Sequence, residues 1–168
     1  GMKVMFSEAK LTNRTNQNVF MGLFALIEVP NAVFEGHTII TADRDLAEKN
    51  AVGRWAKLSP VKLEVSNHNW DRFLAFSDKP EDAALILGEK LIKELAEADE
   101  AFGRGDLTAA LFRGKYVFMM IPHDKDMFEA SDLYIPISSH RHAMDCKKEI
   151  DQLLEIIDVF EIYASQAA

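Results

Sequence analysis

The sequence predicts an α+β fold, in which a mainly antiparallel sheet of about six or seven strands packs with two amphipathic helices. Short runs with β character follow one another through the first half of the chain, joined by links too short for parallel crossovers. Two longer segments carry apolar residues at three- and four-residue steps, as surface helices do. We therefore expect one α+β domain over residues 1–168.

The first strands come from the most distinctive part of the chain. A short strand is expected at about residues 3–11, and Val19–Val29 and Phe34–Thr41 are further runs rich in apolar and β-branched residues. We predict that these last two pair as the hairpin that founds the sheet, with Pro30-Asn31 between them. Gly22 interrupts the first of them, which indicates a bulge or a close backbone approach.

Shorter elements are predicted next. Asp43 is a suitable cap for a helical turn through Leu46-Ala47. The apolar residues of Val61–Val65 alternate with charged ones, which predicts a compact strand, and Arg72–Ser77 predicts another.

The clearest helix is predicted from Asp78 or Pro80 to about Phe102, where Gly103 follows. Proline near the start and acidic residues in the first turn both favour a helix amino terminus. Its apolar positions are Ala84, Leu87, Leu91, Leu95, Ala98 and Phe102.

The carboxyl-terminal third predicts a hairpin and a last helix. Leu107–Arg113 and Tyr116–Ile121 flank Gly114, and the second arm is apolar without alternation, which is typical of a central strand covered on both faces. A helix is expected from Ser138 or Ser139 to about Ala164. Its core face is predicted to consist of Ile150, Leu153, Leu154, Ile157 and Phe160.

Composition limits the classes of partner. The net charge of −8 repels nucleic-acid phosphates and anionic lipid, so we expect no nucleic-acid partner. Cys146 is the single cysteine, which excludes an internal disulfide and suits a cytoplasmic location. No apolar run approaches the roughly 20 residues of a spanning helix. Gly1 ahead of Met2 is typical of a scar left by tag removal, so the chain is expected to be a piece of a longer protein.

His140, His142 and Cys146 form the most metal-like cluster, which His123 can join. Imidazole and thiolate groups bind zinc, but residues two apart on a helix point about 200° apart. A polar helix start with a half-buried cysteine is the simpler interpretation, and we predict no metal and no cofactor.

His123, Asp124 and Asp126 follow the predicted central strand, where a general acid or base can lie. They are also ordinary residues for a turn after Pro122. No serine or cysteine has the context of a nucleophile, and no glycine-rich segment has the spacing of a phosphate loop. The sequence therefore predicts no catalytic residue.

The chain resembles a bacterial family of domains of unknown function. The pattern runs from Phe-x-Gly-Leu-Phe through a Phe-x-Gly strand and Val-x-Leu-Glu to Ile-Pro-x-x-x-Asp-x-Phe-Glu, and the resemblance ends near Leu133. The matching residues are Phe20, Gly22, Leu23, Phe24, Phe34, Gly36, Val61, Leu63, Glu64, Phe73, Phe76, Ser77, Asp78, Ala84, Leu85, Ile86, Leu87, Tyr116, Ile121, Pro122, Asp126, Phe128 and Glu129.

The resemblance implies a shared fold and transfers no site residue. Members often carry membrane-spanning helices, which implies a domain at the cytoplasmic face of a bacterial membrane, tethered from outside this chain. We therefore predict a non-catalytic domain that binds an unknown protein partner. The alternative is a small metal-binding or hydrolytic enzyme using His123 and Asp126, or His140, His142 and Cys146.

A homodimer through the carboxyl-terminal helix is a further prediction. It rests on a second apolar strip beyond the core face of that helix, formed by Ile156, Val159 and Tyr163.

Overall fold

The computed structural model describes residues 2–30, 34–51, 53, 55, 57–66, 71–103, 106–124, 147, 148, 150, 151 and 153–158. Residues 147–158, apart from 149 and 152, contain the described part of a further helix, called α4 below. The other elements are β1 (Lys3–Thr12), β2 (Asn18–Glu28), β3 (Thr38–Thr41), α1 (Arg44–Ala51), β4 (Ser59–Val61), β5 (Leu74–Ser77), α2 (Pro80–Ile86), α3 (Glu89–Ala101), β6 (Thr108–Phe112) and β7 (Tyr116–Pro122).

The seven strands form one antiparallel sheet in the order β1-β2-β7-β6-β3-β5-β4, which confirms the α+β fold class. The predicted hairpin of β2 with β3 is wrong, because β7 and β6 lie between them. Both edges of β2 are taken by other strands. β1 pairs along one edge of β2, and Asn13 closes the turn between them, where its Oδ1 accepts hydrogen bonds from the N–H groups of Thr15 and Gln17. β7 pairs along the other edge of β2.

One face of the sheet carries the core. Alternate residues of β2 and β7 are fully buried there, in one cluster with the apolar side of α3. Burial of a side chain such as leucine or isoleucine contributes about 1.5–3 kcal/mol relative to exposure. The central members are Leu23, Ile27, Leu91, Ile92, Leu95, Met119 and Ile121. β7 is central as predicted, but its other face is only half-buried.

Several predicted bounds differ from the structure. The long helix is two helices, because Gly88 adopts an extended conformation and begins α3 as its amino-terminal cap. The strand predicted at Val61–Val65 is wrong beyond Val61, because β4 spans Ser59–Val61 and ends where its pairing with β5 ends. The strand predicted at Phe34–Thr41 shortens to β3, although Phe34 still joins the core.

The core face of α4 also differs from the prediction. Leu153, Ile156 and Ile157 are buried, whereas Ile150 and Leu154 are exposed. Ile156 is therefore a core residue and not part of an outer dimer strip. The other predicted dimer residues, Val159 and Tyr163, lie outside the described residues, as do Phe160 and both predicted ends of the helix.

Candidate binding surface

The β1 strand exposes apolar side chains at the edge of the sheet. Within the described residues, no other strand pairs with the outer side of β1. Met5, Phe6 and Leu11 are 60%, 41% and 46% exposed, and Val19 at the start of β2 is 67% exposed. We call these four residues and the free side of β1 the ribbon edge. Single exposed apolar residues are common, but a group of four on one hairpin is a candidate contact surface.

The backbone of the ribbon edge can take an additional strand. An edge strand presents N–H and C=O groups with no partner in the sheet, and proteins usually protect such edges with charges, proline or bulges. β1 is ten residues long, and its one register shift lies at its end, between Leu11 and Thr12. Lys3, Glu8 and Lys10 give it some charge, but β1 contains no proline. A long edge of this kind fits strand addition by an extended peptide.

An aromatic row continues from the ribbon edge across the open face of the sheet, the face opposite the core. Phe20 and Phe24 stack with ring centroids 4.7 Å apart, and Phe118 lies 5.5 Å from Phe24. Leu11 pairs directly with Phe20, so the exposed end of β1 and the aromatic row share one face. Phe20 and Phe24 are only half-buried and so lie outside the core.

A cleft of about 430 Å³ lies at the end of this face. Most of its wall is apolar, and its acidic groups are Asp43 and Asp106. Asp43 is the cap predicted from the sequence, because its Oδ1 accepts a hydrogen bond from the Leu46 N–H at 2.8 Å. Partial desolvation, then the charges of Asp43 and Asp99, raise the pKa of Asp106, although its side chain is exposed at the surface. The cleft therefore favours a cationic group over an anion.

His123 is the one predicted metal or catalytic histidine within the described residues. It is buried against Phe102, whose ring centroid lies 5.6 Å from the imidazole, and Oε1 of Glu8 is 3.8 Å from Nε2. Its backbone N–H donates to the Met21 carbonyl, which fixes the end of β7 against β2. Only 2% of its side chain is exposed, so the imidazole packs as part of the protein interior.

Most of the other residues predicted to bind a metal or to act in catalysis lie outside the described part of the chain. Asp124 is exposed, and Asp126, His140, His142 and Cys146 lie outside the described residues. The metal cluster and the hydrolytic group built on them stay predictions.

Sequence reasoning missed the ribbon edge and the acidic cleft. The residues of β1 predict a strand but give no sign that its side chains stay exposed, because exposure depends on which strands lie beside it. Asp43 and Asp106 are far apart in the chain and meet only because β3 pairs with β6. The hydroxyl-to-hydroxyl hydrogen bond of Thr41 and Thr108, with 2.8 Å between the oxygens, marks that junction.

Within the described residues, no helix is both long enough and apolar enough to cross a membrane.

Comparison with known proteins places the chain in a family. No curated protein and no solved structure matches the chain. A family model described as "Protein of unknown function (DUF3137)" matches residues 18–162, which extends beyond the expected limit near Leu133 and includes α4. The chain belongs to this family of proteins of unknown function.

Proposed function

We propose that this domain is a non-catalytic binding module that holds a protein partner at the ribbon edge. The observation that carries the proposal is β1 itself, a ten-residue edge strand with three exposed large apolar side chains. Strand addition gains affinity from main-chain hydrogen bonds, and alternate side chains give specificity. Met5 and Leu11 would contact one side of the added strand and Phe6 the other, since alternate residues face opposite ways.

We also propose that the domain works near the cytoplasmic face of a bacterial membrane. The support is the family resemblance, in which members often carry membrane-spanning helices. The net charge of −8 opposes direct adsorption to anionic lipid. The tether would therefore lie outside this chain, and the ribbon edge would remain available to a protein.

Site-specific photo-crosslinking in the organism that carries the gene tests the binding proposal. A photoreactive residue at Met5 or Leu11 is expected to crosslink to one defined protein. The matched control is Leu85, which is 80% exposed on α2 and belongs to a different surface. The purified partner should then bind a Met5→Glu variant at least tenfold more weakly than the wild type, with the Leu85→Glu variant unchanged. Equal crosslinking at Leu85, or full binding by Met5→Glu, would refute the proposal.

The alternative proposal is a small metal-binding or hydrolytic enzyme. It would use His123 with Asp126, or His140, His142 and Cys146, and a cysteine with histidines suits zinc best. Elemental analysis of the untagged protein tests it, because stoichiometric zinc that is lost in a His142→Ala variant would favour this function over a purely binding role.

A homodimer through the carboxyl-terminal helix is a separate proposal about partners. Ile150 and Leu154 lie four residues apart and are both exposed on α4, which gives this helix an outward apolar pair. Light scattering tests it, and a monomeric mass over a range of concentrations would rule it out.

A further inference from the structure

Three carboxylates from two helices converge beside α3. Glu94 and Glu97 are three residues apart on α3 and so lie on the same side of that helix. Glu155 approaches them from α4. One carboxylate oxygen from each of the three lies within 4.8 Å of the others.

Glu94 is the member that distinguishes this cluster from an ordinary acidic surface. It is only 7% exposed, and its Oε2 is shielded from solvent and accepts no hydrogen bond. Lys93 contacts Oε1 of Glu94 at 3.2 Å and Oε1 of Glu97 at 3.4 Å, so it leaves Oε2 of Glu94 without a donor. A buried carboxylate oxygen with no donor is costly, and a bound cation is one way to stabilise it.

We propose that Glu94, Glu97 and Glu155 bind one hard divalent cation, with Ca²⁺ the best fit. Carboxylate oxygens are the ligands that Ca²⁺ and Mg²⁺ prefer. The three oxygens lie within 4.8 Å of one another, a separation that one ion with Ca²⁺–oxygen distances of about 2.3–2.6 Å can bridge. Mg²⁺, at about 2.0–2.1 Å, demands near-ideal octahedral geometry, whereas Ca²⁺ accepts a more flexible arrangement of oxygen ligands.

A cavity beside the cluster can hold the remaining ligands of the proposed cation. A cavity of about 360 Å³ is lined by Glu97, Glu100, Ala101 and Lys148. It is large enough for several waters, which complete the coordination of Ca²⁺ where protein oxygens are few. A cation at this position would join α3 to α4 and so stabilise the docking of the carboxyl-terminal helix on the domain.

A proton shared between Glu155 and Glu94 is the alternative way to reduce the repulsion among the three carboxylates. A protonated Glu155 can donate a hydrogen bond to Glu94, and this bond, then burial, then the charges of Glu94 and Glu97 raise the pKa of Glu155. The two explanations differ in what they require from solution, because a proton-sharing pair needs no metal ion.

Calorimetric titration of the chelator-treated chain with CaCl₂, and separately with MgCl₂, tests the proposal. Saturable binding of one ion per chain is expected, at least tenfold weaker in Glu94→Gln and in Glu155→Gln. Glu81→Gln is the matched control, because Glu81 is an exposed glutamate in the first turn of α2 and lies outside the cluster. Its affinity should equal that of the wild type.

Thermal unfolding gives a second readout. Ca²⁺ should raise the midpoint of the wild type and of Glu81→Gln, and should leave that of Glu155→Gln unchanged. Since Glu155 is exposed, this variant is expected to fold, and circular dichroism checks that it does. Binding of Mg²⁺ in place of Ca²⁺ supports the site with a smaller ion. Absence of saturable binding by the wild type, or equal weakening in Glu81→Gln, would overturn the proposal.

Discussion

Replacement of Gly22 by alanine is expected to destabilise the sheet more than most single substitutions. Gly22 lies opposite Ala9 of β1 and Pro122 of β7, and its φ of +155° is one that L side chains rarely adopt. An added Cβ would lie 2.2 Å from the carbonyl oxygen of Ile121 and 2.8 Å from Cα of Pro122. Both are backbone atoms, so no side-chain rotation can relieve the contact.

The magnitude follows from these distances. Ordinary van der Waals contact begins at 3.4 Å, so the Ile121 carbonyl oxygen has to retreat by 3.4 − 2.2, or 1.2 Å. Overpacking of this kind costs about 1–3 kcal/mol, and the unfavourable backbone conformation adds about 1–2 kcal/mol. We therefore expect Gly22→Ala to lower the free energy of unfolding by about 2–5 kcal/mol.

Urea unfolding of two glycine variants separates these contributions. Gly103 also has a positive φ, of +99°, but a Cβ there meets no atom within 4 Å. Gly103→Ala is thus a control for the conformational cost alone, and we expect it to lose about 1 kcal/mol. If Gly22→Ala loses no more stability than Gly103→Ala, the close approach of β2 and β7 is not the reason that position 22 requires glycine.

Three further predictions concern charges and α4. Asp106→Asn is expected to stabilise the protein at neutral pH by less than about 1 kcal/mol, because Asp106 is exposed and screened. Its raised folded-state pKa means that the wild-type deficit is present above that pKa and disappears as the pH falls through it, so urea-unfolding curves of the two proteins should converge in acid. Leu153→Ala should cost about 2–5 kcal/mol and Leu154→Ala under about 1 kcal/mol, because these residues are 2% and 48% exposed; the reverse order in thermal unfolding would contradict the placement of α4. Arg72→Ala should cost about 3–5 kcal/mol, because it leaves the fully buried Asp99 carboxylate without its cation, and a loss under about 1 kcal/mol in urea unfolding would argue against that pairing.

The parts of the fold that could be predicted are those with local signals. The β6–β7 hairpin was correctly predicted because Gly114, at φ +76°, provides the turn conformation between two apolar strands. The apolar repeat of α3 likewise lies within one element. The pairing of β2 was not predictable in this way. Strands β1, β3 and β7 could each pair with β2, and the choice between them depends on contacts between residues distant in sequence.

The candidate sites were beyond sequence reasoning for a related reason. Glu94 and Glu97 have a visible helical spacing, but 57 residues lie between Glu97 and Glu155, and nothing local indicates that α4 packs on α3. The same holds for α4 itself, where Ile156 and Leu154 are equally apolar and only the docked orientation buries one and exposes the other. A periodic pattern predicts an apolar side, but it fixes the rotation of a helix only within the width of that side.

The uneven covering of the two sheet faces is a second structural argument for the proposed partner at the ribbon edge. On the core face, Leu23 and Ile27 are fully buried, whereas Phe20 and Phe24 on the open face cover each other only in part. Each additional Å² of apolar surface removed from water contributes about 25 cal/mol, so a partner that covers Met5 and these rings would gain stabilisation beyond that of the folded domain alone. A role in folding and a role in binding therefore differ in a measurable way. Met5→Glu should leave the free energy of unfolding within about 0.5 kcal/mol of the wild type, as for other exposed positions, while it weakens partner binding at least tenfold.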